Sequence, residues 1–405
     1  MSLRASIFHR AVLVSALGYF VDIYDLLLFS IVRVSSLKDL GLNDTEVLEK
    51  GMLLINAQMA GLLIGGILWG VWGDKKGRLS VLFGSIFLYS IANLLNGFVQ
   101  DIPSYVALRF IAGLGLAGEL GAAITLVSEV LSKETRGLGT TIVASFGILG
   151  AVVAGLVAGL VPWRVSYIIG GLMGLSLLLL RVSVKESPMF VHSKNENAGN
   201  LKLLFQSKER LVRFLSCVAI GVPIWFVVGI LITFAPEMSK SWSLTEPITA
   251  GKAIMFNYAG LSLGDLLSGL LSQWMRSRKK VVGLFLIFNF LLMGIYLANH
   301  WSSPSAFYTL CFMLGLASGY WAIFVTIAAE QFGTNLRATI ATTTPNFVRG
   351  TVVILTTLLN WGMARMSLQQ SALMVGLFSF GVALWGYFRL SESYGKDLEF
   401  FEEPL

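Results

Sequence analysis

Charge is scarce in this 405-residue chain: Asp, Glu, Lys and Arg together make up 13% of it, against 55% hydrophobic residues. A soluble domain carries about 25% charged residues, so a water-soluble globular enzyme is excluded. Histidine is nearly absent, with His9, His192 and His300 all in loops or at segment ends. A buried proton carrier must then be a carboxylate. Only two cysteines occur, Cys217 and Cys311, both in apolar segments, which speaks against a disulfide framework and for buried free thiols. No Cys/His cluster offers a metal site, and no cofactor is expected. No stretch reads G-x-x-x-x-G-K followed by Ser or Thr, so ATP hydrolysis is not the energy source. The net charge of +7 is spread over short loops rather than gathered on one face with exposed aromatics, which argues against nucleic acid.

What is abundant is long apolar runs. They fall near 11–34, 51–72, 79–99, 104–130, 138–160, 164–184, 212–236, 249–274, 281–299, 304–329, 338–362 and 368–390. Each is long enough for a helix across about 30 Å of hydrocarbon. The runs are continuous, without the alternation of barrel strands. The expectation is an all-α membrane protein of twelve transmembrane helices. The first run follows Arg4, His9 and Arg10 as a signal peptide would, but it is too long and contains Asp22 and Asp25, so it is read as a retained span. The longest polar stretch separates six spans from six. The expected divisions are an N-terminal bundle at 1–184, a linker at 185–211, a C-terminal bundle at 212–390 and a tail at 391–405. Most of the 30 Lys and Arg lie in loops on the face shared with the N-terminus, which predicts both termini in the cytoplasm of a bacterial inner membrane.

The halves look duplicated. Gly61, Gly65 and Gly70 recur 199 residues later as Gly260, Gly264 and Gly269, and Glu129 with Arg136 recurs 201 residues later as Glu330 with Arg337. The Glu/Arg pairs stand at helix ends and read as gate salt bridges.

The loop after the second run reads Gly70-Val71-Trp72-Gly73-Asp74-Lys75-Lys76-Gly77-Arg78. A basic loop alone explains the lysines and arginines, but not Asp74 or the glycine spacing. This stretch resembles the signature loop of the major facilitator superfamily, matched at Gly70, Asp74, Lys75, Gly77 and Arg78. The resemblance implies two pseudo-symmetric six-helix bundles, and a latch at Asp74 that closes the cytoplasmic face when the protein opens outward. The second-half counterpart, Gln273 to Lys280, keeps Arg276, Arg278, Lys279 and Lys280 but has no acid, so a second latch should be weak or absent. Gly18 to Asp25 and Arg109 to Glu119 are similar to the first-span and fourth-span motifs of the family's metabolite:proton symporter branch.

Ionisable groups at membrane depth are costly and need a partner or a wet cavity. Asp22 and Asp25 lie three residues apart; two neighbouring carboxylates in low dielectric cannot both ionise cheaply, which suits one of them to take up and release a proton. Either can instead be a structural pair for a base. Glu119 and Asp265 are further candidates for proton coupling, without an obvious local base. Arg109 and Arg349 are cations that cannot be deprotonated and that fork onto carboxylate or phosphate. Arg109 can serve substrate or hold an acid of the first span; Arg349, with Asn346 one turn before it, is favoured as the substrate anchor. Tyr24, Asn257 and Tyr258 complete the candidate cavity. The reading is a monomeric secondary transporter that imports a small organic anion or zwitterion with a proton. An exporter of organic cations, drugs or a chelator is the rival, and a nutrient receptor without flux is the alternative of another class.

Overall fold

The computed structural model describes residues 10–131, 136–181, 202–242, 244–298, 301–395 and 402. These form helices joined by short connections. The spans are α1 (Arg10–Asp39), α2 (Asp44–Lys76), α3 (Arg78–Asn96), α4 in two pieces (Ile102–Leu116 and Glu119–Val130), α5 (Arg136–Leu160) and α6 (Trp163–Arg181). The second half has α7 (Lys208–Phe226, extended by a π-helical turn at Val227–Ile232), α8 (Ala250–Trp274) and α9 (Arg278–Ala298). It continues with α10 in two pieces (Pro304–Ser318 and Trp321–Glu330), α11 (Thr334–Met363) and α12 (Leu368–Arg389). Eleven of these twelve are long and apolar enough to cross a bilayer. The exception is α11, whose first half is rich in threonine and carries Asn346 and Arg349. That first half is largely buried between other helices, where polar side chains find protein partners instead of lipid.

Sequence gives the helix ends. Asn43 accepts from the backbone N–H groups of Thr45 and Glu46 while Glu46 reaches back to the Asn43 N–H, a capping box that starts α2. Asp101, Ser207, Thr249, Ser303 and Ser367 cap α4, α7, α8, α10 and α12 in the same way with a side-chain oxygen. Pro223 inside α7 lacks the N–H of a regular turn, and the helix widens into the π turn just beyond it.

The duplication is visible as packing. Added methyl groups on Gly61 and Gly65 of α2 would overlap the backbone at Phe110 and Leu114 of α4; on Gly260 and Gly264 of α8 they would overlap Phe312 and Leu316 of α10. Gly113 of α4 lies against the Gln58 carbonyl, and Gly315 of α10 against the Asn257 carbonyl. Glycine at these sites lets two backbones touch, as lipid-embedded helices favour. Both α4 and α10 break at matching places, Ala117–Gly118 and Gly319–Tyr320. The halves meet where α2 packs on α11 and α5 packs on α8.

The bundle has two ends, called here the signature-loop end (Asp74 to Arg78) and the far end (Arg33, Glu237). Gly77 closes α2 with φ +96°, which only glycine adopts without strain, and its N–H reaches the Gly73 carbonyl at 3.1 Å. The second-half position 199 residues later is Arg276, held at φ +48°.

Candidate functional site

Between the halves lies a small cavity of about 20 Å³, room for about one water molecule. Its wall includes Tyr19 of α1, Trp225 of α7, Tyr258 of α8, Trp321 at the α10 break and Arg349 of α11. The Arg349 side chain is fully buried, with its guanidinium 6.0 Å from the Trp225 ring centre and 5.7 Å from that of Trp321. One nitrogen reaches Asn346 Oδ1 at 3.4 Å, and Nε has no hydrogen-bond partner. Asn346 also donates to the Ala117 carbonyl at 2.9 Å, tying α11 to the α4 break across the interface. Pro345 sits beside it, and Thr343 and Thr344 turn their hydroxyls back onto Thr339 and Ile340 carbonyls, so this turn of α11 is held by side chains as well as backbone.

Asp22 lies three residues after Tyr19 on α1, fully buried, with neither carboxylate oxygen hydrogen-bonded. Burial strips it of water, and Arg349 is the foremost charge acting on it.

Asp25 belongs to a different cluster, inside the first half. Both of its oxygens are buried without a hydrogen bond, and Arg109 is the charge that acts on it. Arg109 donates to Asn93 at 3.2 Å, stands 5.6 Å from the rings of both Phe29 and Tyr167, and has no partner for Nε or its second terminal nitrogen. Gly170 of α6 packs directly on Asp25. Tyr24 donates to the Ser166 carbonyl at 3.0 Å in the same interior. The structure thus puts Tyr258 and Arg349 on the cavity wall, with Asn346 bonded to Arg349 and Asp22 in its field, and places Asp25, Arg109 and Tyr24 in a separate cluster. Asn257 ties α8 to α10 through a 3.1 Å bond to the Cys311 carbonyl and leaves its Oδ1 unpartnered.

Two of the acids have partners that the sequence did not reveal. Glu119 does have a base: Arg181, at the end of α6, forms a fully buried two-pronged pair with it and donates to the Leu82 carbonyl at 2.8 Å. The side chain of Arg181 points into the bundle rather than into a loop. Asp265 accepts the Ala322 N–H at 3.0 Å and so caps the second piece of α10, with no ion pair to Arg349.

Of the gate residues, Gly70 faces the Thr343 methyl of α11 and Lys75 is exposed. The side chains of Asp74, Arg78, Glu129, Arg136 and Arg337 lie outside the described residues. Glu330 pairs with Arg278 at 2.7 Å. An acid does therefore reach the second-half loop, supplied from α10; a second, Glu392, accepts from Ser277 and from the N–H groups of Arg278 (3.0 Å) and Lys279 (3.3 Å). The loop has no acid in its own sequence, and acids distant in the chain fold onto it.

The far-end contact was missed altogether. Arg33 of α1 pairs with Glu237 at 2.7 Å, donates to the Thr233 carbonyl at 3.2 Å and covers the Phe234 ring at 4.7 Å. Beside it Lys240 and Lys38 both reach Asp44, at 2.7 and 3.0 Å. Arg33 stands within the first apolar run, so the cost of burying its charge was the available signal.

Comparison with known proteins bears on the fold and the family. The major facilitator superfamily model matches residues 15–344. The niacin transporter NiaP of Acinetobacter baylyi is 31% identical over 185 residues, covering 44% of this chain and 41% of that protein's length. A putative niacin/nicotinamide transporter NiaP of Bacillus subtilis is 26% identical over 350 residues, covering 83% of this chain and 84% of that one. Among solved structures, a D-xylose-proton symporter superposes with a TM-score of 0.71 at 18% identity, over 98% of this chain and 100% of the other. Twelve helices, a duplicated plan and a matching model over most of its length show that the chain belongs to the major facilitator superfamily and is a multi-pass membrane transporter, not an enzyme.

Proposed function

We propose that this transporter imports a small organic anion together with a proton, and that the anion is a planar aromatic monocarboxylate of the niacin type. One observation carries the reading: Arg349 is a permanent cation on the wall between the halves, flanked by two indole rings, with no acid hydrogen-bonded to it. A carboxylate satisfies the guanidinium, and once the halves part and widen the cavity, Trp225, Trp321, Tyr19 and Tyr258 offer aromatic walls to a flat ring. The relatives named for niacin, an aromatic acid, support the same class.

Asp22 supplies the coupling. While ionised it satisfies the field of Arg349; once protonated it leaves Arg349 to the substrate carboxylate. Asp25, in the field of Arg109 inside the first half, is the second proton site. In this scheme the far end faces outward and opens by parting Arg33 from Glu237, while Asp74, Lys75 and Arg78 latch the cytoplasmic end, where both termini lie. The bundles 1–184 and 212–390 rock as units around the linker 185–211, and one chain in the bacterial inner membrane suffices. Bound substrate can shift that equilibrium only by binding the two states unequally. The exporter reading draws less support, because Asp265 is occupied as a helix cap.

The test is uptake of labelled nicotinate into liposomes carrying an imposed pH gradient. Accumulation against the nicotinate gradient when the lumen is alkaline, abolished in Arg349→Gln, is the expected result. Efflux of organic cations in its place would establish the rival.

A further inference from the structure

The outer face of the second half holds a feature that substrate movement does not use. Between α9 and α12 runs an open, almost wholly apolar groove, walled by Leu284, Ile287 and Leu291 on one side and Leu377, Leu384 and Phe388 on the other. It is lined also by Gly283 and Gly381, and nothing stands within 4 Å of where a Gly381 methyl would be. The helices touch beneath it through Phe290 and Phe380, whose ring centres are 5.2 Å apart.

One end of the groove is charged. Three bases stand in a row at the start of α9. Arg278 is taken up by Glu330, and Lys279 donates to the Leu390 carbonyl at 2.6 Å and covers the Tyr387 ring. The third, Lys280, lines the groove, is exposed, and has no ion-pair partner among the described residues. From Lys280 to Leu291 a helix rising 1.5 Å per residue covers about 16 Å. Half of a hydrocarbon core about 30 Å thick is about 15 Å. The groove therefore has the depth of one leaflet, with its cation at that leaflet's headgroup level.

We propose that this groove seats one acyl chain of an anionic phospholipid from the leaflet on the signature-loop side, with the headgroup phosphate on Lys280. A chain gains no hydrophobic free energy by leaving bulk lipid for an apolar groove, because lipid tails are as apolar as leucine. Selectivity must then come from packing in the cleft and from the headgroup charge. One lysine near a membrane surface contributes about 1 kcal/mol toward an anionic lipid, which corresponds to about a five-fold preference. The inference is independent of the identity of the transported solute.

The experiment is native mass spectrometry of the purified full chain, delipidated and then titrated with phosphatidylglycerol or phosphatidylcholine. The wild type should retain one phosphatidylglycerol about five-fold better than phosphatidylcholine. Lys280→Gln should bring the two lipids to the same level, and Gly381→Phe, which fills the cleft, should lose the retained molecule with either headgroup. Equal retention of both lipids by the wild type, or undiminished phosphatidylglycerol on Lys280→Gln, overturns the proposal, as does a dimer whose interface buries the groove. Should Gly381→Phe not fold, phosphatidylglycerol with a photoreactive chain gives a second readout on the wild type. Crosslinks concentrated at Leu284, Ile287 and Leu377 support the site, and crosslinks spread evenly over all lipid-facing helices refute it.

Discussion

Arg33 of α1 and Glu237 beyond α7 meet at 2.7 Å across the two halves, the arginine fully buried and the glutamate 8% exposed. Removing one partner of a buried pair strands the other charge and costs about 3–5 kcal/mol, whereas replacing both with apolar groups is near neutral. Arg33→Gln and Glu237→Gln should each loosen the far end, and Arg33→Met with Glu237→Leu should restore it. A thiol placed at Asn56, which contacts Thr356 at the same interface, reports the opening through its rate of labelling by an impermeant maleimide. Equal rates in wild type and both single variants would show that the pair does not hold the far end shut.

Arg276 and Gly77 occupy equivalent turns at φ +48° and +96°. A residue with a Cβ in the left-handed region costs roughly 1–2 kcal/mol. Arg276→Gly should therefore raise stability by about 1 kcal/mol, and Gly77→Ala should lower it by at least as much. Thermal unfolding in detergent measures both, and a drop in the midpoint for Arg276→Gly would contradict the assignment of strain.

Asp22 and Asp25 face different cations, Arg349 and Arg109. Asp25→Asn should abolish proton-driven accumulation and spare exchange of internal for external solute. Asp22→Asn should in addition change substrate affinity, since it removes the carboxylate that competes for Arg349. Counterflow in liposomes separates the two; identical behaviour of the variants would merge the two sites into one.

Glu392 lies outside the membrane spans, where partial burial by itself raises its pKa. Hydrogen bonds from Ser277 and from the backbone N–H groups of Tyr394, Arg278 and Ser393 outweigh that and hold it below the ordinary glutamate value. A depressed folded-state pKa adds stability above the unfolded value of about 4.3, and that stability is lost as pH falls through the folded value. Glu392→Gln should weaken the cap on α9 by about 0.5–2 kcal/mol at neutral pH. It should also flatten the loss of stability on acidification. An unchanged acid limb in the variant would assign that limb to other carboxylates.

Much of the architecture could be read directly, because a bilayer writes its thickness into chain length and polarity. The spans and the costly intramembrane charge of Arg349 followed from that constraint, and the duplication from residues recurring at constant offset. Two of the three glycine pairs that matched at constant offset, Gly61/Gly260 and Gly65/Gly264, are contacts between α2 and α4 and between α8 and α10; Gly70 instead faces α11, and Gly269 has nothing within 4 Å. What stayed hidden was pairing across sequence. Arg181 and Glu119 are 62 residues apart, and Arg33 and Glu237 are separated by 204. Nothing in a linear pattern says which distant base an acid will meet. Three-residue spacing likewise set Asp22 and Asp25 on neighbouring sides of α1, but which cation each one faces depended on how α4 and α11 pack. The broken middles of α4 and α10 were also unforeseen, since an unbroken apolar run does not mark where a helix pauses.

Where backbones touch through glycine, no side chain remains between them to slide or repack. The α2–α4 and α8–α10 pairs are thus stiff struts, and flexing must gather at the few interruptions of regular helix. Those are the widened turn after Pro223 and the gaps at Ala117–Gly118 and Gly319–Tyr320. Trp225 and Trp321 stand beside two of these interruptions, so a solute at the proposed site would press next to them.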